Sequence, residues 1–329
     1  MQAVVVSKPG SPDVLKIEEF PDPTITENEV LIQVVGAGVN RADLLQRRGM
    51  YPSPDGYRDE IPGLEVSGII VQIGKKVPKE WQEGQKVMAL VDGEGYASMA
   101  AINHKMLMQV PTDIDIIHAS GIPEVFLTAY DALVIQCGMK LQDKLLIHAV
   151  GSGVGTAAVQ IAKEFDCQIF GTAGSDAKID FSKQLGLHHG INYNEESFLE
   201  YIKKLTNKSG VDIILDVVGS DYLEDNINSL SVKGRLIIIG LLGGDKANIQ
   251  LGKILRNRLQ IIGTVLRSRT AEEKINLTQQ FKNDFLNKFS QKKIHPIIDR
   301  IYPYHLAREA HELMENNANT GKIILDFTN

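Results

Sequence analysis

The sequence predicts a two-part α/β protein: a β-rich, turn-rich first part, then a doubly wound domain with a parallel sheet, then a short tail. Three observations carry this. The 329 residues are enough for about two domains at roughly 150 residues each. Up to about residue 115, short β-branched runs are separated by Pro/Gly clusters. From about residue 144, nearly all-apolar strands alternate with helical patterns, the signature of a parallel sheet covered on both faces.

In the first part, Gln2 to Val6, Leu15 to Glu19 and Val30 to Val35 read as strands. Lys8-Pro9-Gly10-Ser11-Pro12 and Pro21-Asp22-Pro23 break them. Arg41 to Arg48 reads as a short helix closed by Gly49, and Ile69 to Ile73 and Lys86 to Leu90 continue the strands. Ala119 to Ile135 reads as two helical pieces joined at Pro123. The alternation then runs strand Lys144 to Ala149, helix Gly155 to Glu164, strand Gln168 to Thr172, helix Asp176 to Leu185 and strand Gly190 to Tyr193. It continues as helix Glu196 to Leu205, strand Ile213 to Val218, helix Asp221 to Leu230, and strands Arg235 to Gly240 and Leu259 to Thr264. The tail holds a helix (Thr270 to Phe289), a strand (Ile297 to Ile301), a helix (His305 to Asn316) and a last strand (Lys322 to Phe327). Its strands are expected to rejoin the first part. The expected domains are 1–118, 119–264 and the returning tail 265–329.

Composition excludes several classes. A hydrophobic fraction of 43% with 23% charged residues is globular, not disordered. Thirty-five Lys and Arg against 41 Asp and Glu leave a net charge of −6, without the electrostatic footprint of a nucleic-acid or anionic-lipid binder. Two cysteines, Cys137 and Cys167, are too few for a disulfide framework or a four-thiolate zinc site and read as buried small hydrophobes. No run approaches the ~20 apolar residues of a membrane span, and the first residues lack a signal peptide's charged start and long apolar stretch. A cytoplasmic protein is expected.

His148-Ala149-Val150-Gly151-Ser152-Gly153-Val154-Gly155 follows an apolar strand and opens a helix. Glycines there let the backbone approach a pyrophosphate, and the N–H groups of the helix start stabilise its charge. The sixth position is Thr156, so the strict G-x-G-x-x-G spacing is not met. The alternating strands and helices around it make it a dinucleotide loop. An NAD site has an acid at the end of the second strand. Here Ala173 stands near that position, followed by Gly174 and Ser175. Lys178 lies one turn into the next helix, and Tyr193 ends the next strand. NADPH is therefore expected, with Gly174, Ser175, Lys178 and Tyr193 near its 2′-phosphate. Asp176 is the counter-argument, and reads as a helix N-cap; Lys178 also reads as an ordinary surface lysine.

Several strings join these: Asn40-Arg41-Ala42-Asp43, Gly49-Met50-Tyr51, Pro62-Gly63-Leu64-Glu65-Val66-Ser67-Gly68, Ile122-Pro123-Glu124, Leu127-Thr128-Ala129, Gly151 to Thr156, and Leu266-Arg267-Ser268-Arg269. Together they resemble the medium-chain dehydrogenase/reductase superfamily over essentially the whole chain. Within it they resemble the zinc-free quinone oxidoreductase branch, and most the p53-inducible (PIG3-type) group. The resemblance implies a GroES-like catalytic domain built from both chain ends around a Rossmann domain. It also implies NADPH-dependent reduction of quinones by a homodimer or tetramer, and the apolar edge at Leu259 to Thr264 calls for a partner strand.

Zinc members of the superfamily carry a Cys near the first helix and a His-Glu pair after a Gly. Here those stretches read Asn40-Arg41-Ala42-Asp43 and Gly63-Leu64-Glu65, and Val91 to His104 contains no Cys. Zinc needs three or four N, S or O ligands. Glu65 alone is expected to be a buried charge or hydrogen-bond anchor, and each histidine a core or surface residue.

Without a metal, rate must come from positioning and from hydrogen bonds to the developing oxyanion. The resemblance places Asn40, Asp43, Tyr51 and Thr128 near the nicotinamide, with Asn40, Asp43 and Tyr51 as the catalytic candidates. Tyr51 reads either as a proton donor or as a packing lid. Cofactor contacts are implied at Gly151, Ser152, Gly153, Val154, Gly219, Gly240, Leu242, Leu266, Arg267 and Ser268, with Leu241 beside them. Lys322 is expected to reach the cofactor phosphates. Two other readings stay open. Asn40-x-x-Asp43 with Gly49-Met50-Tyr51-Pro52 also matches 2-enoyl thioester reductases, which would need a basic surface such as Arg41, Arg47 and Arg48. Three scattered arginines more often make a solvated face. A low-turnover NADPH-binding or redox-sensing protein is the third reading.

Overall fold

The computed structural model describes residues 1–328. It divides into two compact units: Met1–Leu127 with the chain from Arg267 onward, and Thr128–Leu266.

The first unit opens with β1 (Gln2–Val6) and β2 (Leu15–Glu19), an antiparallel pair. β3 (Glu29–Val39) is twice as long as its β-branched run suggests, because Gly36, Ala37 and Gly38 continue it. Helix α1 (Arg41–Arg47) follows directly and ends as expected at Arg48 and Gly49, the latter with φ 72°. β4 (Glu65–Ile73) begins four residues before the predicted start. β5 (Lys86–Leu90) lies where expected, and two short strands, β6 (Met99–Asn103) and β7 (Leu107–Gln109), were not foreseen. Helices α2 (Ile116–Ala119) and α3 (Pro123–Tyr130) come next. Pro123 starts α3, since its missing N–H costs nothing at a first helical position.

In the second unit, a π-helical turn (Asp131–Gln136) precedes β8 (Lys144–Ile147), α4 (Gly153–Lys163), β9 (Gln168–Ala173), α5 (Asp176–Leu185) and β10 (His189–Asn192). Then come α6 (Phe198–Leu205), β11 (Val211–Asp216), α7 (Ser220–Ser229), β12 (Leu230–Ile238), α8 (Leu251–Asn257) and β13 (Gln260–Gly263). All six strands are parallel, in the order β10-β9-β8-β11-β12-β13. The order reverses between β8 and β11, and open α/β sheets bind ligands outside the strand ends at that point. The core includes Leu146, Phe170, Ile191, Ile202, Ile214 and Leu236. Edge strand β13 leaves Ile261 exposed, and α8 exposes Leu251 and Leu255. Helix α8 has no buried residue, so no apolar periodicity announced it.

The tail belongs to the first unit. Helix α9 (Ala271–Phe281), a π-helical turn (Lys282–Leu286) and α10 (Asn287–Ser290) replace the single long helix expected. Phe281 and Phe289 pack with Phe126. β14 (Ile298–Pro303), α11 (Ala307–Glu315) and β15 (Lys322–Asp326) complete the chain. β15 pairs antiparallel with β3 and parallel with β14, so the tail rejoins the first sheet, ordered β14-β15-β3-β4-β5-β7 with β6 also on β3.

Candidate active site

In the second unit, the loop between β8 and α4 carries the glycines expected to bind phosphate. The Ser152 hydroxyl accepts from the Gly155 N–H at 3.0 Å, which starts α4 two residues earlier than the sequence suggested. Gly151 is needed for close approach: a Cβ there would lie 3.1 Å from the Lys178 side chain. The Lys178 stem thus lies against the loop. Ser175, not Asp176, caps α5, accepting from the Lys178 N–H at 3.5 Å; Asp176 is exposed and accepts from Asn192 Nδ2 at 3.1 Å. The Tyr193 hydroxyl lies over Gly174, although the tyrosine itself is exposed and sits one residue past β10. Gly219 takes φ 84°, and its N–H donates to Asp216. Gly240 and Thr128 are half-buried, Leu241 and Leu242 are exposed, and Leu266 is buried. This is a cradle that fits a dinucleotide: a glycine loop, a helix start half-exposed at Gly153 and Val154, and a strand end at Ala173 without a carboxylate.

In the first unit, the predicted residues build a buried polar network. Asn40 ends β3 at the start of α1. Its backbone N–H donates to Asp43 Oδ2 at 2.7 Å, and its Nδ2 donates to Glu65 Oε1 at 3.0 Å. Lys322 Nζ donates to Asn40 Oδ1 and Glu65 Oε1, both at 2.6 Å, and to Val39 O at 2.7 Å. Glu65 Oε2 accepts the Glu124 N–H at 2.8 Å. Gly38 makes room for this, since any Cβ there would collide with the Glu65 carboxylate. Lys322 is 2% exposed and its ammonium hydrogens have three acceptors. The expected phosphate contact of Lys322 is therefore corrected: it neutralises Glu65 and orients Asn40.

Asp43 is likewise not a group open to substrate. It is fully buried and also accepts from Gly63 N at 3.2 Å and the Tyr96 hydroxyl at 3.0 Å. Burial pushes its carboxyl up to about 6. Behind it, the Arg47 guanidinium can only donate, so His311 Nδ1 accepts from it at 3.2 Å and Nε2–H donates to Tyr96 at 3.2 Å. Desolvation, then the Arg47 charge, hold His311 down to about 3. Arg47 also pairs with Glu315 and is wholly buried, so it is no part of a solvated face. Asp43 thus anchors α1 and the loop before β4 rather than reacting.

Tyr51 is half-buried with the Arg267 guanidinium 4.9 Å from its ring centroid. Arg267 donates to Gln46 Oε1 and to the Ser53 hydroxyl, both at 2.8 Å, so it pins the loop that carries Tyr51. Ser268 beside it is exposed. Desolvation, then Glu124, raise the Tyr51 phenol to about 12. It stays protonated at neutral pH and can donate. Glu124, in the first turn of α3, is raised to about 8 by burial and by Glu65, so it too holds a proton at neutral pH. Sequence reasoning quoted Glu124 in a string but gave it no chemistry. Tyr96 and Gln46 escaped, and the burial of Arg47 and His311 was not foreseen, because Tyr96 meets His311, Arg47 meets His311 and Gln46 meets Arg267 across more than 200 residues.

A zinc ion does not fit these residues. The one acid at the expected place already holds an ammonium, an amide and a backbone N–H. Among the described residues no cluster of three His, Cys, Asp or Glu side chains is placed to ligate a metal.

Residues 26–118 match the alcohol dehydrogenase GroES-like domain, and residues 153–282 match the zinc-binding dehydrogenase domain. The quinone oxidoreductase of Lama guanicoe is 32% identical over 99% of this chain and 97% of its own length. Among solved structures, Escherichia coli quinone oxidoreductase complexed with NADPH superposes with a TM-score of 0.87 at 26% identity, over 99% of this chain and 100% of that one. The CurK enoyl reductase superposes equally well, with a TM-score of 0.87 at 26% identity, over 99% of this chain and 98% of that one. A GroES-like domain with a Rossmann sheet defines the class as a medium-chain dehydrogenase/reductase. Within that superfamily the chain belongs to the quinone oxidoreductase family and is an oxidoreductase with a nicotinamide cofactor. Among the described residues no helix is long and apolar enough to cross a membrane.

Proposed function

We propose that this chain is a zinc-independent NADPH:quinone oxidoreductase of the PIG3-type group, reducing a quinone or a similar electrophilic carbonyl, and acting as a cytoplasmic homodimer. The observation that carries the cofactor choice is the end of β9. Ala173, Gly174 and Ser175 bring a hydroxyl but no carboxylate, and the Lys178 stem lies against Gly151. A 2′-phosphate is accepted where an acid would repel it. Bound NADPH supplies a hydride from its nicotinamide. A quinone is electron-poor and needs little activation, so the chain's task is to position it and to supply protons. Asn40, held by Glu65 and Lys322, keeps one fixed orientation for its amide. Tyr51 holds a proton at its hydroxyl. The exposed edge at β13, with Leu251 and Leu255 near it in sequence, supports self-association.

The second reading, a 2-enoyl thioester reductase, is favoured by one observation: the CurK enoyl reductase superposes on this chain as well as the quinone oxidoreductase does. Initial rates of NADPH and NADH oxidation with 1,2-naphthoquinone and with a trans-2-enoyl-CoA separate the two. The proposal expects turnover with NADPH and the quinone only. Enoyl-CoA turnover lost in Tyr51→Phe would move the chain to the other branch. NADPH bound without oxidation by either acceptor would leave a redox-sensing role.

A further inference from the structure

A second buried polar chain lies in the Rossmann unit, beneath the loops that follow β8, β9 and β11. His148, just after β8, is 1% exposed. Its Nδ1 lies 3.0 Å from the Thr172 hydroxyl on β9, and its Nε2 lies 2.7 Å from Asn226 Oδ1 on α7. Asn226 Nδ2 donates to Asp216 Oδ2 at 3.2 Å, at the end of β11. Asp216 also accepts from the Val218 N–H at 2.7 Å and from the Gly219 N–H.

The donors and acceptors allow one arrangement. Asn226 uses its amide N–H on Asp216, so its oxygen accepts, and His148 Nε2 must carry the hydrogen. His148 Nδ1 is then a bare acceptor, filled by the Thr172 O–H. The imidazole stays neutral: burial lowers it to about 4. Phe198 and Tyr222 meet its ring edge-on, at 4.9 and 4.8 Å between centroids. Three members each lead into or hold a different loop, and Asn226 on α7 links two of them. His148 leads into Ala149 to Ser152, Thr172 leads into Gly174 and Ser175, and Asp216 holds Val218 and Gly219 by their N–H groups. The three strands involved are neighbours, on the two sides of the point where strand order reverses.

We propose that His148 is a positioning residue for the dinucleotide, locking the loops after β8, β9 and β11 into one register through Thr172 on one side and Asn226–Asp216 on the other. This rests on the reading of the glycine loop as an NADPH site. A buried network with all members satisfied rigidifies and specifies one arrangement, and a gap in it frees the groups it held. None of its side chains needs to touch the cofactor.

The test uses the full chain and measures NADPH affinity by fluorescence titration, quinone kinetics and thermal stability together. His148→Phe keeps an aromatic ring against Phe198 and Tyr222 but removes both nitrogens. It is expected to raise the NADPH Kd about tenfold, from the unsatisfied groups it leaves, with kcat at saturating NADPH within about twofold of wild type. A second variant adds Thr172→Val, which removes the hydroxyl orphaned by the loss of Nδ1 and keeps the Asn226 donor to Asp216. Its melting temperature is expected to recover while the NADPH Kd stays high. Recovery of affinity together with stability would show that the network only stabilises the unit, and overturn the proposal. So would wild-type affinity in His148→Phe. Should His148→Phe not fold, Thr172→Val alone is expected to raise the Kd about threefold, and an unchanged Kd overturns the proposal. Wild-type protein that binds no NADPH overturns the cofactor reading and this proposal with it, whereas wild-type binding matched by every variant overturns this proposal alone.

Discussion

Lys322→Met tests the buried network of the first unit most directly. The Lys322 and Glu65 side chains are 3% and 0% exposed, with 2.6 Å between Nζ and Oε1. Methionine keeps the length and apolar stem of lysine but removes the ammonium. Glu65 then keeps the Asn40 amide and the Glu124 N–H but loses its only countercharge in the network. Val39 O and Asn40 Oδ1 also lose their charged donor. Leaving one member of a buried pair alone costs about 3–5 kcal/mol. At ~2–4 °C per kcal/mol for a unit of this size, the melting transition should fall by about 6–20 °C. Adding Glu65→Gln removes the orphaned charge while keeping an acceptor for Asn40, and should recover most of the loss. Scanning calorimetry of the wild type, the single variant and the double variant measures all three. Because the ammonium is committed within the first unit, NADPH affinity should stay within about twofold. A single variant that melts like wild type but binds NADPH about tenfold more weakly would refute this account. It would return Lys322 to the phosphate role that its sequence position suggests.

Three further outcomes are expected. The Glu124 carboxyl is raised from 4.5 to about 8, so between those values the folded chain holds a proton that the unfolded chain has released. Its contribution is complete below the lower value and is lost as pH rises through the upper one, so unfolding free energy should fall by about 1–2 kcal/mol from pH ~6.5 to ~8. Urea titrations of Glu124→Gln should lack that fall; a variant that shows it in full contradicts the assignment. Lys178→Ala should raise the KM for NADPH about tenfold and leave that for NADH unchanged, since one charge-assisted contact to a 2′-phosphate is lost; equal effects on both cofactors would remove Lys178 from the phosphate site. Ile261→Glu on the exposed edge strand should shift a dimer to monomer in sedimentation velocity, and a wild-type protein that sediments as a monomer would discard the homodimer.

The parallel sheet was legible because its strands are nearly continuous apolar runs and its helices have apolar faces. Chain order and periodicity report that directly. The glycine loop was legible for a related reason: its residues are contiguous, at a turn from an apolar strand to a helix. Small errors at its ends came from caps. Ser152 and Ser175 start their helices through side-chain hydrogen bonds that the apolar pattern does not register. Helix α8, which buries no residue, had no pattern to read.

The first unit was less legible. Asn40 and Asp43 do meet, as N-cap and third residue of α1, but the partners that bury them were not legible. Asp43 was a catalytic candidate near the nicotinamide and is held as an anchor, because Tyr96, Gly63 and the Asn40 backbone surround it. Arg47 looked like a surface charge and is buried, because His311 and Glu315 arrive from α11, more than 260 residues later.

By itself the sequence determined the alternation of strands and helices in the parallel sheet apart from α8, the glycine loop, the missing carboxylate at Ala173 and the absence of the zinc-binding residue types. Each is a matter of residue type and local spacing. Only the tertiary structure decided which charges meet. It returns β15 beside β3, and so puts Lys322 against Glu65 and Asn40; it puts three strand ends side by side, and so joins Thr172, His148, Asn226 and Asp216. A buried charge or imidazole takes its protonation and its role from the groups that surround it, and those groups are set by topology rather than by neighbours in the chain.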